Sequence, residues 1–231
     1  MRLHRFIGNY NLSKDRVFIT DKAIVNQIRK VLRYHIGSKL ILSDGEGNEA
    51  ICEIIDFGRN LIECSVIERK EDISDYKREI VLFCSVLKNK NFELAIQKTC
   101  EIGVSQIVPI ITQHTVKMKL RYDRLVKILK EASEQSGRSV VPKITDIMKF
   151  DEALDYSKGC EANVLFDSSG SKFRSFSNYK KVGVWIGPEG GWTDKEISIA
   201  QEAGFEIAKL GKLTLRAETA AIVAAFLALN M

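Results

Sequence analysis

The chain has 231 residues, of which 45% are hydrophobic and 28% are charged. This is the composition of a globular protein with enough apolar material for a core. No run reaches the roughly 18 apolar residues that a membrane span needs, so no membrane segment is expected. No long apolar region follows the first residues, so no signal peptide is expected either.

Cysteine usage predicts a reducing compartment. The five cysteines (52, 64, 84, 100 and 160) are odd in number, widely scattered and without CxxC spacing. Neither a zinc site nor a disulfide framework is indicated, and the three histidines have no metal-ligand spacing. We therefore expect a cytoplasmic protein without a metal, whose thiols serve as small core residues.

The net charge of +5 is unevenly distributed. Residues 1–43 carry nine Lys and Arg against two acids, a balance of +7, whereas residues 44–78 carry five against ten, a balance of −5. A basic first segment indicates contact with a polyanion such as nucleic acid. A solvated basic surface is the alternative that charge alone leaves open.

Residues 1–70 are predicted to form a small domain of short strands, at 16–20, 39–43, 49–55 and 61–68, with glycine turns at 44–48 and 57–60. A helix over 21–32, capped by Thr20, is expected because apolar residues recur there at helical spacing. Successive strands with glycine turns favour a small β-barrel, although a β-domain without a ligand fits the same pattern. The charged stretch 70–78 is predicted as a linker, or else as a solvated loop.

From residue 79 onward, strands and helices alternate. Strands are expected at 80–86, 106–112, 162–166, 182–186 and 205–210, and helices at 92–102, around 125–132 and at 217–229. This alternation predicts a mainly parallel sheet covered on both faces. Residues 168–178, rich in Ser, Gly and Lys, are predicted to form an exposed loop.

Two glycine-containing loops, 187–191 and 211–216, each follow a predicted strand. Thr193 and Glu196 fit a capping box that starts a helix after the first loop, and Gly204 ends that helix. In open α/β sheets, ligands bind at such loops beyond the carboxyl ends of the strands. A tight turn without a ligand is the alternative. No GxGxxG, GxxxxGK[ST] or GxSxG motif is present.

The residues of these loops resemble a known family. IGPEGGW at 186–192 and LGKLTLRAETA at 210–220 are similar to the paired motifs of the RsmE family, ribosomal small-subunit RNA (uracil-N3)-methyltransferases of the SPOUT class. Further similar motifs are QKTCEIGV at 97–104, EQSGR at 134–138, and VLR at 31–33 followed by Gly37. The sequence departs from the family at Gln27, where a histidine is expected, and at Ala217, where threonine is usual.

The resemblance implies an α/β fold: a SPOUT methyltransferase domain over 79–231 with a trefoil knot, preceded by a PUA-like RNA-binding β-barrel over 1–72. The cofactor would be S-adenosyl-L-methionine, the substrate 16S rRNA or the small ribosomal subunit, and the enzyme a homodimer. Methylation at uracil N3 requires that the N3 proton be removed or that the resulting imidate be stabilised. A non-catalytic RNA-binding assembly factor, and a SPOUT enzyme acting on another base, are the alternatives.

Site residues are assigned on the same basis. Arg216 would stabilise negative charge on the base or hold its phosphate, and Glu189 or Glu218 would take up the proton or support that step. For Glu218, a favourable position in the first turn of a helix is the alternative. The expected cofactor-binding residues are Leu165, Phe166, Ile186, Gly187, Gly190, Leu210, Gly211, Leu213 and Leu215. The expected RNA-binding residues are Arg5, Arg29, Lys30, Arg33 and Arg138, the last with a surface arginine as its alternative.

Overall fold

The computed structural model describes residues 3–71, 78–88, 90–116, 118–176 and 178–231. The chain forms two compact units, Met1–Asp75 with Ser133–Val141, and Tyr76–Ala132 with Pro142–Met231. Most of the predicted linker lies outside the described residues, and Lys70 belongs to the last strand of the first unit. No helix in the described part of the chain is both long and apolar enough to span a bilayer.

The first unit contains one five-stranded sheet in the order β1-β3-β4-β5-β2. β1 runs parallel to β3, and the other pairs are antiparallel. The described pairings include none between β1 and β2, so closure into a barrel stays a prediction. The elements are β1 (Arg5–Ile7), β2 (Arg16–Ile19), α1 (Lys22–Asn26) with a π-helical turn (Gln27–Val31), β3 (Lys39–Ser43), β4 (Asn48–Phe57) and β5 (Ile62–Glu71).

The start of α1 differs from the prediction, which placed Thr20 at the cap. Asp21 is the N-cap, and its Oδ1 accepts hydrogen bonds from the amides of Ala23 at 2.8 Å and Ile24 at 3.2 Å. Ile24, Val25 and Ile28 then bury one face of the helix in the core of this unit. The amphipathic spacing therefore identified the helix, whereas the predicted cap was wrong by one residue because the Asp21 carboxylate accepts the amides of the first turn.

The segment Ser133–Val141 belongs to the first unit although it lies far along the chain. Glu134 Oε1 accepts a hydrogen bond from the Ile7 amide at 2.8 Å, and the Val141 amide donates to the Gly45 carbonyl at 2.9 Å. Val140 forms an antiparallel bridge with Glu46. These contacts tie the segment to β1 and to the turn that follows β3.

The second unit is built on a parallel sheet in the order β12-β10-β11-β6-β7-β8, in which β9 also pairs with β7. All pairings among its described strands are parallel, as the alternation of strands and helices predicted. The elements are β6 (Glu79–Ser85), α2 (Lys90–Ile102), β7 (Gln106–Ile111), α3 (Tyr122–Ser136), β8 (Lys143–Ile144), β9 (Met148–Lys149), α4 (Phe150–Ser157), β10 (Ala162–Lys172), β11 (Lys181–Ile186), α5 (Asp194–Glu202), β12 (Glu206–Lys209) and α6 (Ala217–Asn230).

Aromatic packing fills the centre of this sheet. Trp185 is fully buried and stacks on Phe83 with a centroid separation of 4.2 Å and an interplanar angle of 7°. Its indole N–H donates to Asn163 Oδ1 at 3.1 Å, so the one polar atom of the ring is satisfied. This core holds β6, β10 and β11 in register, and the three strands end close together.

β10 continues through Lys172, so the prediction of an exposed loop from residue 168 is wrong for its first part. The strand pairs with β12 up to Phe166, shifts register, and resumes at Ser171 opposite Ala208. A Cβ on Gly170 would lie 2.6 Å from the Ala208 carbonyl carbon, so only glycine permits this close approach. The bulge places Asp167 and Ser168 beyond the main ladder, at the edge where the glycine loops lie.

β12 lies at one edge of the sheet, whereas α6 packs against α2, β6 and β11. The loop between β12 and α6 therefore crosses from the sheet edge toward its middle. The trefoil knot implied by the family resemblance stays a prediction.

Candidate functional site

A cavity of about 910 Å³ opens at the carboxyl ends of β10, β11 and β12. Its size lies within the range of roughly 300–1,000 Å³ that is typical of small-molecule sites. The two glycine-containing loops and the start of α6 form most of its wall. The lining residues are Lys88, Asn91, Phe166, Asp167, Ser168, Ile186, Gly187, Pro188, Glu189, Gly191, Trp192, Lys209, Leu210, Gly211, Lys212, Leu213, Thr214, Leu215, Arg216, Ala217, Glu218 and Ala220.

The first loop, 187–191, is shaped by Trp192. A Cβ on Gly187 would lie 3.0 Å from Trp192 Nε1, so the glycine lets the indole pack against the backbone. The indole N–H donates to the Phe166 carbonyl at 3.1 Å and so links this loop to the end of the regular part of β10. Gly191 closes the turn in the left-handed region, with φ of 71°.

His114 holds the same loop from the other side. Its Nδ1 lies 3.0 Å from the Gly190 carbonyl and 3.1 Å from the Gly191 carbonyl, so Nδ1 carries the proton and donates it. A Cβ on Gly190 would lie 2.9 Å from the His114 Cβ. Gly190 is therefore required by packing against His114, and it lies beside the cavity lining, so its contact with the cofactor stays a prediction.

The second loop, 210–216, is open to solvent. Leu213 is 82% exposed and Leu215 is 37% exposed, although both line the cavity. Large apolar side chains in such positions are available to cover a ligand. Arg216 is the N-cap of α6 and makes no side-chain capping bond. In the described part of the chain, no hydrogen bond or ion pair engages its guanidinium.

Leu165 and Phe166, predicted together as the apolar wall, separate in the structure. Successive residues of a strand point to opposite faces. Leu165 is fully buried in the core with Trp185, whereas Phe166 lines the cavity and packs against Phe173. Phe166 is therefore exposed to a ligand in the cavity and Leu165 is covered by the core, and a cofactor contact of either residue stays a prediction.

The two predicted carboxylates lie in different surroundings. Glu189 Oε1 accepts a hydrogen bond from the backbone amide of Lys88 at 2.9 Å. Glu218 is 7% exposed, and its Oε2 is buried with no hydrogen-bond partner among the described residues. Since a buried polar atom without a partner is costly in free energy, such an atom on a cavity wall indicates a missing ligand group.

Sequence reasoning missed several charged and polar residues of the cavity. Lys88 and Asn91 follow β6, and Asp167 and Ser168 follow the regular part of β10. Lys209 and Lys212 flank Leu210. The signal that could have found them is the rule used for the glycine loops, since β6 and β10 are also parallel strands whose carboxyl ends lie at this edge.

The predicted RNA-binding arginines are not equally accessible. Arg5 forms a bidentate ion pair with Glu49, at 2.5 and 2.9 Å, and Arg138 is only 9% exposed. Arg29 donates to the carbonyls of Gly58 and Leu61 and lies over the Phe57 ring. Lys30 and Arg33, by contrast, are exposed.

Four of the five thiols lie in the core, as expected from the sequence, and Cys160 is partly buried. Cys52, Cys64, Cys84 and Cys100 are buried. Burial raises the pKa of the Cys84 thiol to about 12, and that of Cys64 likewise to about 12. Both therefore stay protonated at neutral pH, which makes them unreactive. No group of three or more His, Cys, Asp or Glu side chains is arranged for a metal ion in the part of the chain that is described.

Comparison with known proteins identifies the family and the fold. The chain matches the model of an RNA methyltransferase domain over residues 74–229 and that of an RNA methyltransferase PUA domain over residues 19–67. Ribosomal RNA small subunit methyltransferase E of Mesomycoplasma hyopneumoniae is 35% identical over 170 residues, which cover 71% of this chain and 74% of that protein. Ribosomal RNA small subunit methyltransferase E 2 of Borreliella burgdorferi is 33% identical, covering 91% and 90%.

The structural comparison agrees. The crystal structure of a ribosomal RNA small subunit methyltransferase E from Neisseria gonorrhoeae bound to S-adenosyl methionine superposes with a TM-score of 0.85 at 29% identity, covering 97% of this chain and 95% of that one. The chain thus matches both an RNA methyltransferase domain and a PUA domain. Its relatives of 33–35% identity, which cover most of the chain, carry the same family name. The chain belongs to the ribosomal RNA small subunit methyltransferase E family, RsmE.

Proposed function

We propose that this protein transfers a methyl group from S-adenosylmethionine to N3 of a uridine in the 16S ribosomal RNA of the small subunit. Methyl transfer to small-subunit ribosomal RNA follows from its family, and N3 of uridine is the more specific part of the proposal. The observation that carries it is the cavity between the loops 187–191 and 210–216, in a fold whose relative from N. gonorrhoeae binds S-adenosyl methionine.

The cavity residues fit this cofactor. Phe166, Ile186 and Leu210 offer apolar walls, and Leu213 and Leu215 can cover an apolar group from the solvent side. Backbone groups beside Gly211 are approachable because that residue has no side chain and nothing lies within 4 Å of its Cβ position, and Gly187 also lines the cavity. When bound, S-adenosylmethionine supplies a methyl group that is already activated by its positive sulfonium.

Glu218 is the proposed acceptor of the N3 proton. The neutral imide nitrogen is a poor nucleophile, so the reaction needs a group that removes its proton. The buried Oε2 of Glu218 lacks a partner among the described residues, whereas Glu189 already accepts the Lys88 amide. Arg216, at the start of the same helix, is proposed to stabilise the negative charge that develops on the uracil oxygen.

RNA binding is proposed to reside in the first unit, through Lys30 and Arg33. Both are exposed, whereas Arg5 and Arg29 are engaged with Glu49 and with backbone carbonyls. Arg5, Arg29 and Arg138 then contribute chiefly by holding the RNA-binding surface in shape. A cytoplasmic location follows from the proposed ribosomal substrate.

A homodimer built on α6 is also proposed. This helix is apolar on all sides, and Phe226 on its outer face is 55% exposed. Helices that are apolar all round are normally buried. We therefore propose that a second copy of the chain covers the exposed face of α6. Phe226→Glu should sediment as a monomer in analytical ultracentrifugation. Val126→Glu, a matched change at an exposed apolar residue of α3, should stay dimeric, and a dimer in both variants would exclude this face.

The function is tested by methyl transfer from labelled cofactor to small-subunit particles that lack the modification, with nucleoside mapping of the product. We expect 3-methyluridine at one position. Cofactor binding without transfer to any RNA would instead favour a non-catalytic assembly factor. A different methylated base would retain the methyltransferase and correct its target.

A further inference from the structure

Glu189 connects two loops at the mouth of the cavity. It lies in the loop after β11 and accepts the amide of Lys88, which lies after β6, at 2.9 Å. The Lys88 carbonyl in turn accepts the Asn91 amide at 3.2 Å, at the start of α2. Both backbone polar groups of Lys88 are thus held, although β6 has already ended.

The side chain of Lys88 remains available. Lys88 is exposed, lines the cavity and has no ion-pair partner in the described part of the chain. The other cations of the described lining, Lys209, Lys212 and Arg216, all come from β12 and the loop after it. Lys88 therefore brings positive charge to the cavity from a separate element, the segment after β6, which is the strand next to β11.

We propose that Glu189 is a positioning residue and not the proton acceptor: by fixing the Lys88 backbone, it presents the Lys88 ammonium to the substrate nucleotide. The inference rests on the proposed function. The partner of Lys88 is then a uracil oxygen that gains negative charge, or the phosphate of the same nucleotide, both of which attract a cation. The positive sulfonium of the cofactor would repel it.

The Glu189→Gln variant distinguishes the two possible roles of the carboxylate, which are to accept the Lys88 amide and to accept a proton. A side chain that holds an amide needs only an acceptor oxygen, which glutamine retains, whereas a proton acceptor must be able to ionise. In single-turnover methylation at saturating cofactor, Glu189→Gln should stay within about 3-fold of wild type, because the Lys88 amide keeps its acceptor. Glu189→Ala should lose roughly 10–100-fold, because a misplaced contact group is less effective.

Lys88→Ala should lower the single-turnover rate by about 10²-fold while the affinity for S-adenosylmethionine, measured by calorimetry, stays unchanged. In the double variant, Glu189→Ala should add less than about 3-fold to the loss from Lys88→Ala, since residues that act through one another are not additive. Lys158→Ala, an exposed lysine at the end of α4, is the matched control and should behave as wild type.

Three outcomes would overturn the inference. Equal loss in Glu189→Gln and Glu189→Ala, with the acid limb of the pH–rate profile removed in both, would make Glu189 the proton acceptor. Weakened cofactor affinity in Lys88→Ala would place its contact on the cofactor. An additive double variant would uncouple the two residues. Failure of wild type to methylate any RNA is a separate result, because it would refute the proposed function itself and the basis of this inference with it.

Discussion

The sequence reveals only part of the reason why glycine is needed at particular positions beside the cavity. The glycines at 187 and 190 are expected from the motif as places where a ligand meets backbone. In the structure, their neighbours are Trp192 and His114, which would lie 3.0 and 2.9 Å from an added Cβ and would have to shift to accommodate it. Nothing in the sequence pairs position 190 with position 114, because that contact joins the loops after β11 and β7, two strands that β6 separates in the folded sheet.

Gly187→Ala should therefore reduce stability as well as ligand binding. The added Cβ would meet the Trp192 indole at 3.0 Å and disturb its hydrogen bond to Phe166. We expect the free energy of unfolding to fall by about 1–3 kcal/mol, the usual effect of overpacking. Gly211→Ala is the matched control, since nothing lies within 4 Å of its Cβ. Urea unfolding of both variants measures this, and equal midpoints would contradict the packing explanation.

Glu218→Gln should slow methyl transfer without affecting the stability of the fold. Glutamine keeps the size of the side chain but cannot take up a proton, and Oε2 has no partner among the described residues to lose. The single-turnover rate should fall by about 10²–10⁴-fold, which is typical of a lost general base. Thermal stability and calorimetric cofactor affinity should both remain near wild type. A fully active variant would show that the carboxylate serves only the first turn of α6.

At the scale of elements, regular periodicity predicted more than local composition did. The helical spacing of Leu125, Leu129 and Ala132 identified α3, where all three residues are buried. The Ser- and Gly-rich stretch after Phe166 indicated a loop, yet β10 resumes there. Its second part depends on pairing of Ser171 with Ala208 across a bulge, and strand pairing leaves no periodic signal in so short a segment.

The first helix is followed by Arg33, whose backbone conformation is unusual for an arginine. Arg33 adopts φ of 52°, the left-handed conformation that usually falls to glycine after a helix. The Tyr34 amide donates to the Ile28 carbonyl at 3.0 Å across this residue. An arginine in this conformation costs about 1 kcal/mol, and its side chain is exposed, as is that of Lys30.

Lys30 and Arg33 should control the salt dependence of RNA binding, whereas Arg29 should control stability. Replacing both exposed cations by alanine should reduce the slope of log K against log salt by about 1.4–1.8, at roughly 0.7–0.9 per phosphate contact. Arg29→Ala should leave that slope unchanged and destabilise the chain by about 1–3 kcal/mol, because it removes donors from the Gly58 and Leu61 carbonyls. Filter binding across a salt series, with thermal melts, measures both. An unchanged slope in the double variant would make these cations a solvated surface.

At the scale of the whole molecule, chain order and compact units do not coincide. The sequence predicts a second domain over 79–231, because strands and helices begin to alternate after the charged stretch. Ser133–Val141 nevertheless folds with the first unit. The motif EQSGR at 134–138 includes Glu134, which accepts the Ile7 amide, and the buried Arg138. Such a long-range association leaves no periodic trace, so it could not be predicted from composition or spacing.

A fragment of residues 79–231 should bind the cofactor but melt earlier than the full chain. All cavity-lining residues lie between Lys88 and Ala220, so calorimetry should give an affinity for S-adenosylmethionine within about 3-fold of the full chain, the tolerance expected when no contact is lost. The segment Ser133–Val141 would lose its hydrogen bonds with Ile7, Ser43 and Gly45. At roughly 0.5–1.5 kcal/mol each, the loss of these three bonds should destabilise this segment by about 1.5–4.5 kcal/mol. Glu134→Ala in the full chain is the partial control and should lower stability by about 1 kcal/mol with unchanged cofactor affinity.

A folded fragment that does not bind the cofactor would contradict the location of the site, and a fragment as stable as the full chain would mean that the segment gains little from the first unit.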